Sequence, residues 1–150
     1  LNIKKVTMIS RNETTLNIFV QSTSNLLSKR DISIESISNK KLNVSPYIQE
    51  ADLIINTTPI GMNGSQAKQE SVPLGHEVWD CLSNKTILYD LIYTPRPTNW
   101  LKIGQQKNCF TIDGLDMLVE QGAFSIRLWT GFHDVPVQTM KSSAEKHLMV

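Results

Sequence analysis

Short β-like runs alternate with helix-like or polar segments along the whole chain, and this alternation narrows the fold more than any other property of the sequence. The runs are Val6–Ser10, Ile32–Ile37, Leu53–Asn56, Ile87–Leu91 and Phe110–Ile112. Between them, Thr14–Leu27 carries Leu16, Phe19 and Val20 on one helical face. Lys41–Glu50 is a shorter helix candidate interrupted by Pro46, and Asn99–Lys107 is another, entered after Pro95 and Pro97. Asn63–Gln69 is polar and predicts a loop. A last helix is expected over Val135–His147, after Gly131 and beginning near Asp134-Val135-Pro136. Strands separated by helical crossovers pair in parallel, so the pattern predicts an α/β fold with a doubly wound parallel sheet.

One element of such a sheet is missing from the sequence. In a doubly wound dinucleotide fold the first strand lies at the sheet centre and runs into a Gly-x-Gly-x-x-Gly/Ala turn that meets the pyrophosphate. No such motif occurs here, and Leu1-Asn2-Ile3-Lys4-Lys5 leads straight into a strand. Val6–Ser10 therefore reads as the second strand, and with Ile32–Ile37 it would lack its hydrogen-bonding neighbour. Unpaired buried edges are costly. The expectation is a sequence truncated at its first strand.

Bulk properties exclude several other classes. A chain of 150 residues with 40% hydrophobic and 19% charged residues suits one domain with a real core. A net charge of +1 offers no basic field for nucleic acid. No apolar run is long enough for a membrane helix, and no signal-peptide pattern is present. Cys81 and Cys109 are isolated, which favours reduced thiols and a cytoplasmic location. His76, His133 and His147 are scattered and do not form a metal-ligand set, so no metal is expected.

The densest information lies in residues 113–131, Asp-Gly-Leu-Asp-Met-Leu-Val-Glu-Gln-Gly-Ala-Phe-Ser-Ile-Arg-Leu-Trp-Thr-Gly. Asp113 and Gly114 close the run Cys109–Ile112. Leu115, Leu118, Gly122, Ser125 and Trp129 then follow at roughly helical spacing, with Gln121 as an amide two turns in. A backbone turn is thus set beside the first turn of a helix. Two further segments stand upstream: Asn56-Thr57-Thr58-Pro59-Ile60-Gly61-Met62, and Tyr89-Asp90-Leu91-Ile92-Tyr93-Thr94-Pro95-Arg96-Pro97-Thr98. In this order the three motifs strongly resemble the shikimate dehydrogenases. The chain is similar to the C-terminal NADP-binding domain of that family, without its N-terminal substrate domain and glycine-rich turn.

Arg11 follows the presumed second strand, where a cation accommodates the 2′-phosphate of NADP and an acid would accept from the ribose of NAD. Ser10 and Asn12 can add hydrogen bonds; the alternative is a solvated arginine at a strand end. Asn56, Thr57, Thr58 and Pro59 end a strand at its carboxyl tip, where ligands of parallel sheets bind, and Gly61 allows close backbone approach. The resemblance implies that this loop lies along the dinucleotide. It also implies that Leu91, Ile92 and the Gly114 backbone border the nicotinamide, that Tyr93 borders the substrate, and that the Gln121 amide meets a substrate hydroxyl. Asp90 is read as ordering its local turn. An amide both donates and accepts, which suits a polyhydroxy ring, whereas a helix-surface glutamine is the plain alternative.

The expectation for the whole is a Rossmann-like α/β fold, truncated at its first strand, with C-terminal helices. Residues 1–112 would form a partial NADP-binding domain, and 113–150 helices that close the domain and reach the substrate cleft. The resemblance implies the conversion of 3-dehydroshikimate and NADPH to shikimate and NADP. The acid/base lysine and aspartate of that family have no counterpart here, so the 150 residues alone are expected to be inactive. The alternatives are a quinate/shikimate dehydrogenase using NAD, or a non-catalytic dinucleotide-fold fragment. Neither nucleic acid nor membrane is an expected partner, and a homodimer is compatible with the sequence.

Overall fold

The computed structural model describes residues 2–38, 44–63 and 71–148, which fall into two compact units, residues 1–50 and 51–150. The loop expected over Asn63–Gln69 lies outside the described residues beyond Asn63, as does the start of the helix expected from Lys41.

In the first unit, β1 (Lys5–Ser10) and β2 (Ser33–Ser38) pair in parallel, with Val6 opposite Ile34 and Ile9 opposite Ile37. The crossover is α1 (Glu13–Ser28), capped by Asn12, whose side chain accepts from the Thr15 amide at 3.1 Å. Only Leu16 of α1 is fully buried. The return to β2 passes through Asp31 at φ 56°, a left-handed conformation that short polar side chains tolerate. Thr7 and Lys5 both bond Glu35 across the pair, at 2.7 Å each. α2 runs from Ser45 to Glu50. Pro46 therefore opens this helix rather than interrupting one, because in the first turn its missing N–H has no intrahelical role.

In the second unit, β3 (Leu53–Asn56), β4 (Ile87–Asp90) and β5 (Phe110–Ile112) form a parallel sheet in the order β3-β4-β5. The register sets Leu53 opposite Ile87 and Ile87 opposite Phe110. A 3-10 helix, His76–Cys81, lies in the β3–β4 connection, and α3 (Asn99–Gln106) joins β4 to β5. α4 (Leu115–Thr130) and α5 (Val137–Leu148) complete the unit. Every strand pair in both ladders is parallel, as the strand–helix alternation predicted. Among the described residues, β1 and β2 have no third strand, and none of the helices is long and apolar enough to cross a membrane.

The core of the second unit sits where α3 meets the sheet. Leu88, Trp100, Leu101, Val78 and Trp79 are buried, with the two indole rings 6.2 Å apart. Gly104 lets α3 approach: a Cβ there would lie 2.4 Å from Leu88 Cδ1 and 3.2 Å from Thr111 Cγ2. Gly104→Ala gains up to ~1 kcal/mol of helix propensity but overpacks at a cost of about 1–3 kcal/mol. A net loss of about 1 kcal/mol is expected, read as a lower denaturant midpoint. In a Leu88→Ala background the space exists, and the same change should become neutral or stabilising. A Gly104→Ala protein more stable than the parent would show that α3 is not closely seated on β4.

Candidate functional site

The carboxyl ends of β3, β4 and β5 carry most of the residues singled out in the sequence, and a buried network draws them together. Asn56 and Asp90 face each other at the last paired position of their strands, both almost wholly buried. Asn56 Nδ2 donates to Asp90 Oδ1 at 3.0 Å and to the Ile60 carbonyl at 3.3 Å. Its Oδ1 accepts from the Thr58 amide at 3.0 Å and the Thr58 hydroxyl at 2.7 Å. The hydroxyl in turn accepts from the Ile60 amide at 3.3 Å. Every polar atom of the Asn56 side chain is thereby engaged in shaping the turn. The turn closes with the Met62 amide on the Pro59 carbonyl and Gly61 at φ 98°. Thr57, Thr58 and Pro59 are all exposed on this turn, Thr58 with its hydroxyl engaged by Asn56 and Ile60.

The next tip is built around Asp90. The Thr98 hydroxyl donates to Oδ2 at 2.7 Å, and the Ile92 amide donates to Oδ1 at 3.1 Å. Thr98 is also the N-cap of α3, accepting from the Leu101 amide at 3.4 Å. Burial pushes the Asp90 carboxyl above the ordinary aspartate range. The hydrogen bonds from Thr98, Ile92 and Asn56 pull it back only in part, and the charge of Asp113 adds to the rise.

β5 hands over to α4 at the same end. The Gly114 amide donates to the Ile92 carbonyl at 3.1 Å, and a Cβ on Gly114 would fall 2.0 Å from the Leu91 carbonyl oxygen. No side chain fits between these backbones. Asp113 caps α4 from one position early, accepting from the Leu115 amide at 3.0 Å through Oδ1, while Oδ2 takes Arg96 Nε at 2.6 Å. Leu91 is half-buried, Ile92 buried, and Tyr93 at the exposed rim. Gln121 lies on α4 with its side chain exposed, and its carbonyl accepts from the Ser125 hydroxyl at 2.9 Å.

Asn56, Thr58, Leu91, Ile92 and Gly114 are thus brought together by hydrogen bonds or contact, with Thr57, Pro59 and Tyr93 on the same loops. Ser10, Arg11 and Asn12 belong to the first unit. There the Asn12 side chain is the α1 cap, Ser10 Oγ accepts from the Asn12 amide at 3.2 Å, and Arg11 is exposed. No local pattern in the sequence marks the Asp90–Thr98 bond or the Arg96–Asp113 pair. A threonine directly before a helix was the available sign for Thr98, as a cap; nothing local marks its second partner.

Residues 114–145 match the family model described as the shikimate 5′-dehydrogenase C-terminal domain. A shikimate dehydrogenase (NADP(+)) of Prochlorococcus marinus (strain MIT 9515) is 43% identical over 148 residues, covering 99% of this chain and 50% of the relative. The chain is homologous to the shikimate dehydrogenases. It spans about half the length of the curated relatives it matches. Among solved structures, quinate dehydrogenase from Corynebacterium glutamicum in complex with NAD superposes with a TM-score of 0.77 at 22% identity, over 95% of this chain and 46% of that one. Shikimate 5-dehydrogenase from Listeria monocytogenes, in complex with shikimate and NAD, gives 0.76 at 23%, over 94% and 47%. These likenesses establish the Rossmann-like α/β fold expected from the strand–helix alternation.

The raised Asp90 carboxyl has a signed consequence for stability. A carboxyl whose folded pKa exceeds its unfolded one contributes stability that is fully present below the unfolded value and is lost as pH rises through the folded value. The parent should therefore lose stability relative to Asp90→Asn as pH climbs from about 4, the unfolded aspartate value, until Asp90 has ionised. Glu35 and Asp80, held below the usual carboxylate range by Lys5 and Lys107, contribute the opposite slope to both proteins and cancel in the difference. A difference curve that is flat or rises with pH would contradict the assignment; denaturant titrations across the acid range supply it.

Proposed function

We propose that these 150 residues are the cofactor-side part of an NADP-dependent shikimate dehydrogenase, a cytoplasmic enzyme of aromatic amino-acid biosynthesis that interconverts 3-dehydroshikimate and shikimate. The observation that carries the reading is the coincidence of two facts. The family match begins at Gly114, and Gly114 is where the fold leaves no room for a side chain beside Leu91. The missing side chain lets the start of α4 seat on the Leu91–Ile92 backbone, and so brings together the segments that would border a nicotinamide.

The residues fit a dinucleotide in kind. In the first unit Arg11, exposed after β1, would hold the 2′-phosphate, with the Ser10 hydroxyl beside it; Asn12 serves through its cap. In the second unit the turn Asn56–Gly61 would lie along the cofactor. Asn56 and Thr58 hold its shape, and Thr57 and Pro59 face outward. Leu91, Ile92 and Gly114 would border the nicotinamide. When bound, NADPH supplies the hydride. Tyr93 would rim the substrate, and the Gln121 amide would hydrogen-bond a ring hydroxyl. By the resemblance, the lysine and aspartate that handle the proton lie outside these residues, so the 150-residue chain alone should produce no NADPH from shikimate.

The test of cofactor choice is Arg11→Ala in the assembled enzyme. A charge-assisted phosphate contact contributes on the order of 1.5–3 kcal/mol, so NADP affinity should fall roughly ten- to a hundredfold while NAD affinity barely changes. Equal losses for both would give Arg11 a structural role instead. Substrate placement is tested separately. Gln121→Ala should cost about 1–3 kcal/mol in kcat/KM for shikimate and leave NADP binding without substrate unchanged. Weakened NADP binding with an intact shikimate KM would move Gln121 to the cofactor side.

A further inference from the structure

The tips of β3 and β4 and the start of α3 share one side chain. Asp90 has no solvent exposure and accepts three hydrogen bonds, each from a different segment: Asn56 from the β3 tip, Ile92 from the backbone after β4, and Thr98 from the entrance to α3. Each donor residue has a second task. Asn56 organises Thr58 and Ile60, Thr98 caps α3 through Leu101, and the Ile92 carbonyl receives the Gly114 amide that begins α4. A single carboxylate is therefore one residue removed from every loop at this end of the sheet.

We propose that Asp90 is a positioning residue whose carboxylate locks the Asn56–Gly61 turn, the Leu91–Ile92 backbone and the start of α3 into one body, and so fixes the Ile92–Gly114 contact. The functional consequence, a fixed surface for the nicotinamide, rests on the function proposed above; the mechanical coupling does not. The chemistry makes the lock specific to a carboxylate. All three partners donate, and a carboxylate is acceptor-only. An amide presents two hydrogens, so Asp90→Asn keeps the shape but sets a donor against one of the three. The Thr98 hydroxyl can rotate to accept it but then loses its own acceptor in a buried place, and the Asn56 amide can flip to accept it only by turning its NH2 onto the Thr58 donors. Titratable neighbours are few: Asp113 faces Asp90 and is itself paired with Arg96.

The experiment is amide hydrogen exchange on the full chain, without ligand, for the parent, Asp90→Asn and Thr98→Val. The second variant leaves the carboxylate in place and removes one donor, so it keeps the test alive if the first unfolds. Coupling predicts that Thr98→Val speeds exchange at Thr58, Ile60, Ile92 and Gly114 together, roughly tenfold or more relative to Leu88 and Val119. If only Leu101 and its neighbours in α3 loosen, Thr98 is merely a cap and the proposal is overturned. In the assembled enzyme Asp90→Asn should raise the KM for NADP more than it lowers kcat, with a KM that depends on pH differently from the parent; an equal loss in both would speak for a purely structural role and against the proposal. Exchange behaving as expected in an enzyme that binds no NADP would sustain the coupling and defeat the functional reading alone.

Discussion

A carboxylate taken wholly out of water must be met by donors, or it costs several kcal/mol. Asp90 meets that demand with Asn56, Ile92 and Thr98, and this one requirement organises the end of the β3-β4-β5 sheet. The turn after β3 is shaped by Asn56 because Asn56 must also reach Asp90. α3 begins at Thr98 because the same hydroxyl that caps it completes the carboxylate. The β4 backbone then presents the Ile92 carbonyl to Gly114, which starts α4. With the inner polar side chains engaged in this way, what remains for a ligand at this end is backbone and the outward residues of the loops, Thr57, Pro59 and Tyr93 among them.

Alternation of strand-like and helix-like runs was enough to locate the regular elements, because their periodicity is set by local sterics and burial. Leu53–Asn56 and Phe110–Ile112 are strands over the expected residues, α1 runs one residue beyond expectation at each end, and α3 stops one residue short. Asn56 was legible as a polar strand tip, but not as a side chain with all its hydrogen-bonding capacity turned inward, since that depends on Asp90 thirty-four residues away. The Ile92–Gly114 contact is equally non-local. The 3-10 helix His76–Cys81 was not anticipated, because a six-residue turn carries too short a pattern to stand out.

The sheet also shows an asymmetry that alternation alone does not reveal. Ile54, Leu88 and Thr111 share the face against α3, where Leu88 is fully buried and Gly104 lies close. Leu53, Ile55 and Phe110 share the opposite face and are exposed. Parallel sheets are ordinarily covered on both sides, which is why their strands are apolar on both faces. The sequence of β3, Leu-Ile-Ile-Asn, has that two-sided character, although on the second face only the central Ile87 and Tyr89 and the β5 end at Ile112 are half-buried.

α4 poses the same problem with a sharper functional edge. Gln121 projects from the helix among Leu118, Phe124 and Leu128, three and seven residues away and therefore on neighbouring parts of one face, and the last two are 64% and 71% exposed. A glutamine on an ordinary solvent face has charged or polar neighbours, as the amphipathic pattern of a surface helix requires. An apolar patch with one convergent amide has instead the composition of a ligand-facing or protein-facing surface, in which apolar groups exclude water and a few polar atoms set orientation. The hydrogen bond such an amide makes is strengthened by that exclusion, and an unmatched partner is penalised by it. The exposed Leu118, Phe124 and Leu128 beside Gln121 support the recognition role proposed for it, with Ser125 the polar neighbour one turn on.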